Sequence, residues 1–394
     1  MTGNETEYRA EKKRCENAVR GCMVGGGAGD ALGYPVEFWS ENEIRRAYGE
    51  AGIISYQCSP EEGLAVVSDD TQMTMFTATG ILYGYTRGWM RGIMGPVSGY
   101  VYEHYLDWLH TQEPEMEGAG MSWLREIPSL HVRRAPGMTC LSALRSAHRN
   151  RRWGTCQDPL NHSKGCGGIM RVAPVALHVC DYHESGLSLE ELKKLDRDGA
   201  EVAAITHGHP LGYIPAAALV HILNRIVYGG CTMGDSLYDI TAECRMTMEQ
   251  LFEGEPYLKA FLRKLDAAVT LSKNSASDSE NIRQLGEGWV AEETFAIALY
   301  CSLRYPDDFS KAITASVNHS GDSDSTGAVT GNIAGALVGY EGIDEKWKRQ
   351  LEFHKLLLEL ADDLCYGCPM SEYSEDVDEN WVNKYMMGRR TAGR

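Results

Sequence analysis

Alternation of apolar and polar residues, the mark of a half-buried strand, is scarce in this 394-residue chain. Residues 64–67 (LAVV) are the best strand candidate and are short. No βαβ rhythm and no repeat of fixed period appear, which argues against a doubly wound nucleotide fold and a solenoid. No apolar run approaches the roughly 20 residues that span a bilayer, so no membrane segment is expected. The amino-terminal MTGNETEYRAEKKRC is polar and lacks a signal-peptide core. The 12 cysteines are therefore read as reduced thiols in a cytoplasmic protein. Positive charge is in deficit, with 38 Lys and Arg against 55 Asp and Glu, a net charge of −17. That balance argues against a nucleic-acid backbone or an anionic membrane as the main partner. A nucleotide-sized anion stays possible, because helix N-termini or metal ions reverse the field locally. Zinc chemistry lacks its ligand pattern: Cys365 and Cys368 form one CxxC with no second pair, and His207-x-His209 stands alone.

Glycine, by contrast, is placed with a pattern. Gly327, Gly331, Gly335 and Gly339 recur every fourth residue, as do Gly21, Gly25, Gly29 and Gly33. On a helix each set gathers into one stripe. An interior glycine costs roughly 0.5–1 kcal/mol against alanine, so a stripe makes sense where another backbone must come very close. The two striped helices are expected to pack together or lie as near neighbours. They stand near opposite ends of the chain, which predicts a single all-α domain over 1–394 with its core at about 15–365. Other helices are expected after Asp70, around 189–205 and around 211–228, with Pro215 in the first turn of the last. Phe295, Ala298, Leu299 and Leu303 mark a further apolar face, and Trp347, Leu351, Leu358 and Ala361 a late one. Segments 111–120, 150–168 and 273–288 read as loops.

Five constellations carry chemistry. Ser68-Asp69-Asp70-Thr71 precedes an apolar helix, and Asp322-Ser323-Asp324-Ser325 precedes the second glycine stripe. Taken singly, each reads as a helix cap with acids in the first turn. Taken together, they supply four carboxylates and several hydroxyls, with no His or Cys among them. Such hard oxygen donors suit Mg²⁺, Mn²⁺ or Ca²⁺. The third, GGGAGDALGYPVEF, resembles a dinucleotide loop only loosely, since Gly33 falls one place late and no strand precedes it. Its titratable groups are Asp30 and Glu37. Glu37 lies beside Phe38 and Trp39, an apolar setting that raises a carboxyl pKa. It is read as a general acid/base or a buried hydrogen-bond partner. The fourth, residues 163–177, holds Gly165, Gly167 and Gly168 before a helix start, either a phosphate cradle or a tight turn. Cys166 within it is a candidate nucleophile or a small packing residue. The fifth, Thr206 to Pro210, holds His207 for ligand contact or capping.

These five segments in this order resemble the ADP-ribosylglycohydrolase family from about Gly21 to about Gly339. The resemblance implies an all-α orthogonal helical bundle with two Mg²⁺ (or Mn²⁺) ions at the bottom of a cleft. It also implies hydrolysis of the bond between C1″ of ADP-ribose and an acceptor. Carried over by position, Ser68, Asp69 and Asp70 match the first metal motif, and Asp322, Asp324 and Ser325 the second. Glu37 falls where some members have a flexible glutamate. The stretch Gly165, Cys166, Gly167, Gly168 to Met170 matches the loop that approaches the distal ribose and diphosphate, and Cys166 stands where many members have Asn. His207 matches a histidine of the ligand cleft, and Gly288 and Trp289 match its adenosine side.

The expected activity is thus release of ADP-ribose from an ADP-ribosylated protein, arginine-linked by preference, with Asp69, Asp70 and Glu37 as the catalytic carboxyls. Hydrolysis of a small derivative such as O-acetyl-ADP-ribose is one alternative. A non-catalytic ADP-ribose-binding relative is another, and no acidic ligand is missing in the way that reading requires.

Overall fold

The computed structural model describes residues 3–178, 187–229, 236–371 and 376–389. Within them the chain is helical and contains no strand. The first helices are α1 (Gly3–Gly33), α2 (Glu41–Tyr48), α3 (Asp69–Arg91), α4 (Val97–Gln112), α5 (Met138–Asn150) and α6 (Ala173–Leu177). Next come α7 (Leu189–Ala204), α8 (Pro210–Tyr228), α9 (Leu237–Leu251), α10 (Leu258–Leu271), α11 (Asp278–Leu285) and α12 (Ala291–Arg304). The series ends with α13 (Phe309–Val317), α14 (Ser323–Gly342), α15 (Glu345–Lys348), α16 (His354–Tyr366) and α17 (Glu379–Tyr385). The strand candidate at 64–67 reduces to one isolated bridge, Ala65 with Leu351.

The two glycine stripes meet. A Cβ on Gly21, Gly25 or Gly29 would overlap the carbonyl oxygen of Gly335, Gly331 or Gly327 respectively. The reverse substitutions on α14 would strike Gly21, Gly25 and Gly29 in the same way. Backbone therefore lies directly on backbone, and only residues without a Cβ allow it. Asn332 adds a side-chain hydrogen bond across the seam, donating to the Cys22 carbonyl at 2.9 Å. At the far end of α14 the backbone of Gly339 swings to φ +69°, which ends the clasp.

α8 forms a second axis and packs against α6, α7, α9, α12 and α14. By length and composition it alone among the described helices could cross a membrane, yet 94% of its apolar window is buried inside the protein. It is a core helix, apolar on nearly every side because neighbours surround it. The expectation of no long apolar run is corrected to that extent. Pro215 lies inside α8, and Pro210 is the residue in the first turn.

Segment 273–288 is not a loop throughout, since it contains α11. Ser277 and Glu280 form a capping box there, with each side chain bonding the other's backbone N–H. The late apolar face is split between α15 and α16, because Phe353 takes a left-handed conformation at their junction.

Candidate active site

Two helix N-termini build the site. At α3, Ser68 is the N-cap and its Oγ accepts from the Asp70 N–H at 3.2 Å. At α14, Asp322 is the N-cap and its Oδ1 accepts from the Ser325 N–H at 3.2 Å. Both starts are held by α1. Asp30, fully buried, accepts the Ser68 N–H at 3.0 Å and the Thr71 N–H at 3.1 Å, and also the Thr71 hydroxyl. The glycine clasp presses α14 onto the same helix. A site drawn from residues some 250 positions apart in sequence is thus referred to one rigid element.

Asp69, Asp70, Asp322 and Asp324 are each only 2–4% exposed. Asp69 Oδ2 accepts from the Gly137 N–H at 3.1 Å, and Asp324 Oδ1 from the Ser325 N–H at 2.9 Å. Asp70 Oδ2 is buried with no hydrogen-bond partner. The Ser323 hydroxyl is likewise buried and unpartnered.

Burial is the largest influence on the titration of these acids, and mutual repulsion adds to it. It raises Asp30 to about 6. Asp69 rises to about 7, with the charges of Asp30 and Asp322 contributing. Asp70 and Asp324 are pushed well above the usual carboxylate range, again by burial first and by neighbouring acids second.

Glu37 follows the short 3₁₀ turn Tyr34–Val36 that ends α1. Half-buried, it is raised to about 8 by desolvation and then by Asp322, Asp69 and Asp30. The neighbouring Asp324 side chain offsets a small part of that rise. The expected cause of the shift is partly corrected. Phe38 and Trp39 are 70% and 38% exposed, and the charges of Asp322, Asp69 and Asp30, which the sequence reading did not include, add to the effect of burial. Phe38 sits at φ +67° and stacks on Trp289 with ring centroids 5.1 Å apart. A cleft of about 470 Å³ opens beside Glu37, lined in part by Tyr34, Gln57, Ser59 and Ala135.

The glycine loop closes another side. The Cys166 N–H donates to the Trp289 carbonyl at 3.2 Å. The Cys166 thiol donates to Asp322 Oδ2 at 2.8 Å, and burial followed by the Asp322 charge holds that thiol well above its ordinary pKa. It is therefore protonated, which disfavours the nucleophile reading. Gly288, at φ +83°, lies against the Thr326 side chain and the Asp322 backbone, where a Cβ would not fit. Met170 is buried as wall, with its sulfur 4.0 Å from the Ser325 hydroxyl. His207 is buried against Gly165 and Gly167. Cys365 and Cys368 are free thiols on and just after α16, at neither metal motif.

Among the described residues, no three Asp, Glu, His or Cys side chains already form an ion cage. The donor set nonetheless fits hard divalent cations. It offers carboxylates and serine hydroxyls, an orphaned carboxylate oxygen on Asp70, and clustered negative charge that costs stability unless protons or cations offset it. Sequence reading passed over three participants. Gly137 supplies a backbone donor, which carries no side-chain signal. Arg171 lay in a segment read for its glycines, and Thr206 was noted only beside His207.

The family model described as ADP-ribosylglycohydrolase matches residues 11–373. The chain is 24% identical over 84% of its length to an ADP-ribosyl-[dinitrogen reductase] glycohydrolase of Rhodospirillum rubrum, spanning 89% of that protein. It is 27% identical to ADP-ribosylhydrolase ARH3 of Bos taurus over 51% of its own length, and spans only 57% of that relative. A solved ADP-ribosylglycohydrolase-related protein complex shares the fold, with a TM-score of 0.60 at 22% identity over 90% of this chain and 99% of the other.

Proposed function

Because the chain belongs to the ADP-ribosylglycohydrolase family, we propose that its acidic cleft cleaves the C1″ bond of mono-ADP-ribosylated protein, arginine-linked by preference, and releases ADP-ribose. The observation that carries this reading is the meeting of two acidic helix N-termini with Glu37 at the edge of an open cleft. Cleavage at an anomeric carbon passes through an oxocarbenium-like state, which clustered carboxylates stabilise. Ser68, Asp69, Asp70, Asp322, Asp324 and Ser325 would hold two Mg²⁺ or Mn²⁺ ions, which supply charge neutralisation and Lewis acidity toward the distal ribose and water.

The chain's own groups divide the proton work. Asp70, whose Oδ2 has no protein partner, would accept a proton from an attacking water only once bound cations offset the burial and repulsion that otherwise keep it protonated. Glu37, with its pKa raised to about 8, holds a proton near neutral pH and can give it to the leaving group. It is the one acid lining the 470 Å³ cleft, whose other walls are uncharged. A guanidinium leaving group would meet a single carboxyl there, which supports the arginine preference.

The test is a panel of defined conjugates linked through arginine, through serine and as O-acetyl-ADP-ribose. Released ADP-ribose is measured with Mg²⁺ or Mn²⁺ and after chelation. Turnover of the arginine conjugate first, and only with the cation, is expected. Faster turnover of the small ester would favour the alternative substrate, and none at all would reject the enzyme reading.

A further inference from the structure

The segment Ile127 to Gln157 carries six arginines and no Asp or Glu, in a chain whose net charge is −17. Acids outside the segment meet three of them: Arg134 pairs with Glu352, Arg145 with Glu113 and Arg152 with Asp158. Among the described residues Arg133, Arg149 and Arg151 have no ion pair. The pairs are unequal. Arg145 Nε lies 2.7 Å from Glu113 Oε2, and its Nη2 meets the same carboxylate. Arg134 has only its Nη2 at 3.5 Å from Glu352 Oε1, and its Nε is buried with no partner. A guanidinium offers five N–H donors in a fixed fork, and here one is met, at the limit of a hydrogen bond. The Arg134 side chain is 22% exposed, so it is largely withdrawn from water without being satisfied. That state is costly unless something else completes it.

Arg134 stands at the edge of the cleft beside Glu37. Ala135, the next residue, lines that cleft, as do Tyr34 and Val66. The Arg134 charge reaches the Tyr34 phenol, whose pKa burial raises and that charge lowers. Glu352, which holds Arg134, also accepts the Val67 N–H at 3.0 Å. The backbone here is tied to the acid cluster. The Arg134 carbonyl accepts the Asp69 N–H at 3.0 Å, and the Gly137 N–H donates to Asp69 Oδ2 at 3.1 Å. Between these two bonds Ala135 takes φ +50°, a strained conformation for a residue with a Cβ, and Pro136 follows it. The arginine is thus set in register with the site by its own main chain.

We propose that Arg134 selects the acceptor: its unmet donors bind a carboxylate of the modified protein, next to the ADP-ribosylated side chain, in the planar geometry that guanidinium and carboxylate share. The ADP-ribosyl part of that substrate rests on the functional reading above, and the acid rests on the placement of Arg134. The cleft then presents one acid, Glu37, and one cation at its edge. A modified guanidinium with a carboxylate beside it complements both. The unpaired Arg133, Arg149 and Arg151 favour a partner surface that is acidic beyond that one residue. Arg134 determines specificity and touches the substrate away from the reacting atoms.

Synthetic peptides bearing ADP-ribosyl-arginine, identical except for Asp, Asn or Lys at each flanking position, test this with the full chain and Mg²⁺. Released ADP-ribose gives kcat/KM. At one flanking position or more, the Asp peptide is expected to exceed its Asn counterpart about tenfold, the low end for a hydrogen bond to a charged group. The Lys peptide should fall below both, and the advantage of Asp should shrink as salt is raised. In Arg134→Gln the ratio of Asp to Asn should fall close to one. Arg134→Lys should keep part of it, and Arg134→Glu should turn the preference toward Lys. An Arg134 that only braces Glu352 would instead lower turnover of every peptide alike and leave the ratio as it was. Equal turnover of the Asp and Asn peptides at every position by wild type, or an unchanged ratio in Arg134→Gln, overturns the inference and leaves the functional reading standing. Turnover of none of the peptides rejects that reading, and the inference with it.

Discussion

Glu37 is a carboxyl that holds a proton near pH 7 because it is partly removed from water and, second to that, borders a cluster of like charges. Glu37→Gln keeps its shape but cannot cycle the proton. We expect kcat to fall about 10²–10⁴-fold, the usual worth of general acid–base catalysis, with ADP-ribose affinity nearly unchanged. Steady-state kinetics and calorimetry on one preparation separate this from a structural role, in which stability would fall and kcat per folded molecule would hold. Asp322 works differently, since it caps α14 and also receives the Cys166 thiol. Asp322→Asn retains a capping oxygen, so helicity by circular dichroism should persist. Thermal stabilisation by Mg²⁺ or Mn²⁺ should disappear together with turnover. Cation stabilisation equal to wild type would exclude Asp322 from the ion site.

The clasp between α1 and α14 belongs to the scale of elements. Gly331→Ala or Gly25→Ala would drive a methyl into a facing carbonyl, and neither backbone can yield without moving its whole helix. We expect a loss of at least about 3 kcal/mol, the upper end of ordinary overpacking, read from urea unfolding midpoints. A near-neutral outcome would mean that the helices slide freely. This pairing was legible in the sequence because the four-residue period of glycine has few other causes. The helix Asp278–Leu285 was less legible, because its Ser277–Glu280 capping box lay in a polar stretch that composition alone assigns to loop. Arg171 was missed for another reason. A lone arginine in a sequence looks like surface charge, and only the packing of Tyr105, Met73 and Thr206 around it reveals burial. The acids were readable as pairs, whereas their common position depends on α1, which no local motif encodes.

On the scale of the whole molecule, the acid cluster sets how stability responds to pH. Asp69, Asp70 and Asp324 hold protons more tightly in the folded chain than in the unfolded one. The folded chain thus binds more protons over that range, and its stability falls as pH rises. For Asp69 the loss begins above its ordinary value of 3.8 and is complete once pH passes about 7. The metal-free protein should therefore melt at a lower temperature at pH 8 than at pH 5.5. Mg²⁺ or Mn²⁺ should raise Tm more at pH 8, where the carboxylates are free of protons. Differential scanning fluorimetry at both pH values, with chelator and with cation, checks the sign. An equal cation effect at both would place the ions elsewhere.

The clasp also fixes an order of events at the ribosome. Gly21 emerges about 300 residues before its partner Gly335. At a synthesis rate of roughly 5–20 residues per second, that leaves an interval of about 15–60 s. Throughout it the striped part of α1 has no mate, and a glycine-rich segment is a poor helix by itself. The nascent chain must therefore wait with its first helix loosely formed. Asp30 cannot brace the start of α3 firmly until the last third of the protein has been made. Catalytic competence would then arrive late and all at once, and a chain released before Gly335 would be inert and in need of a chaperone.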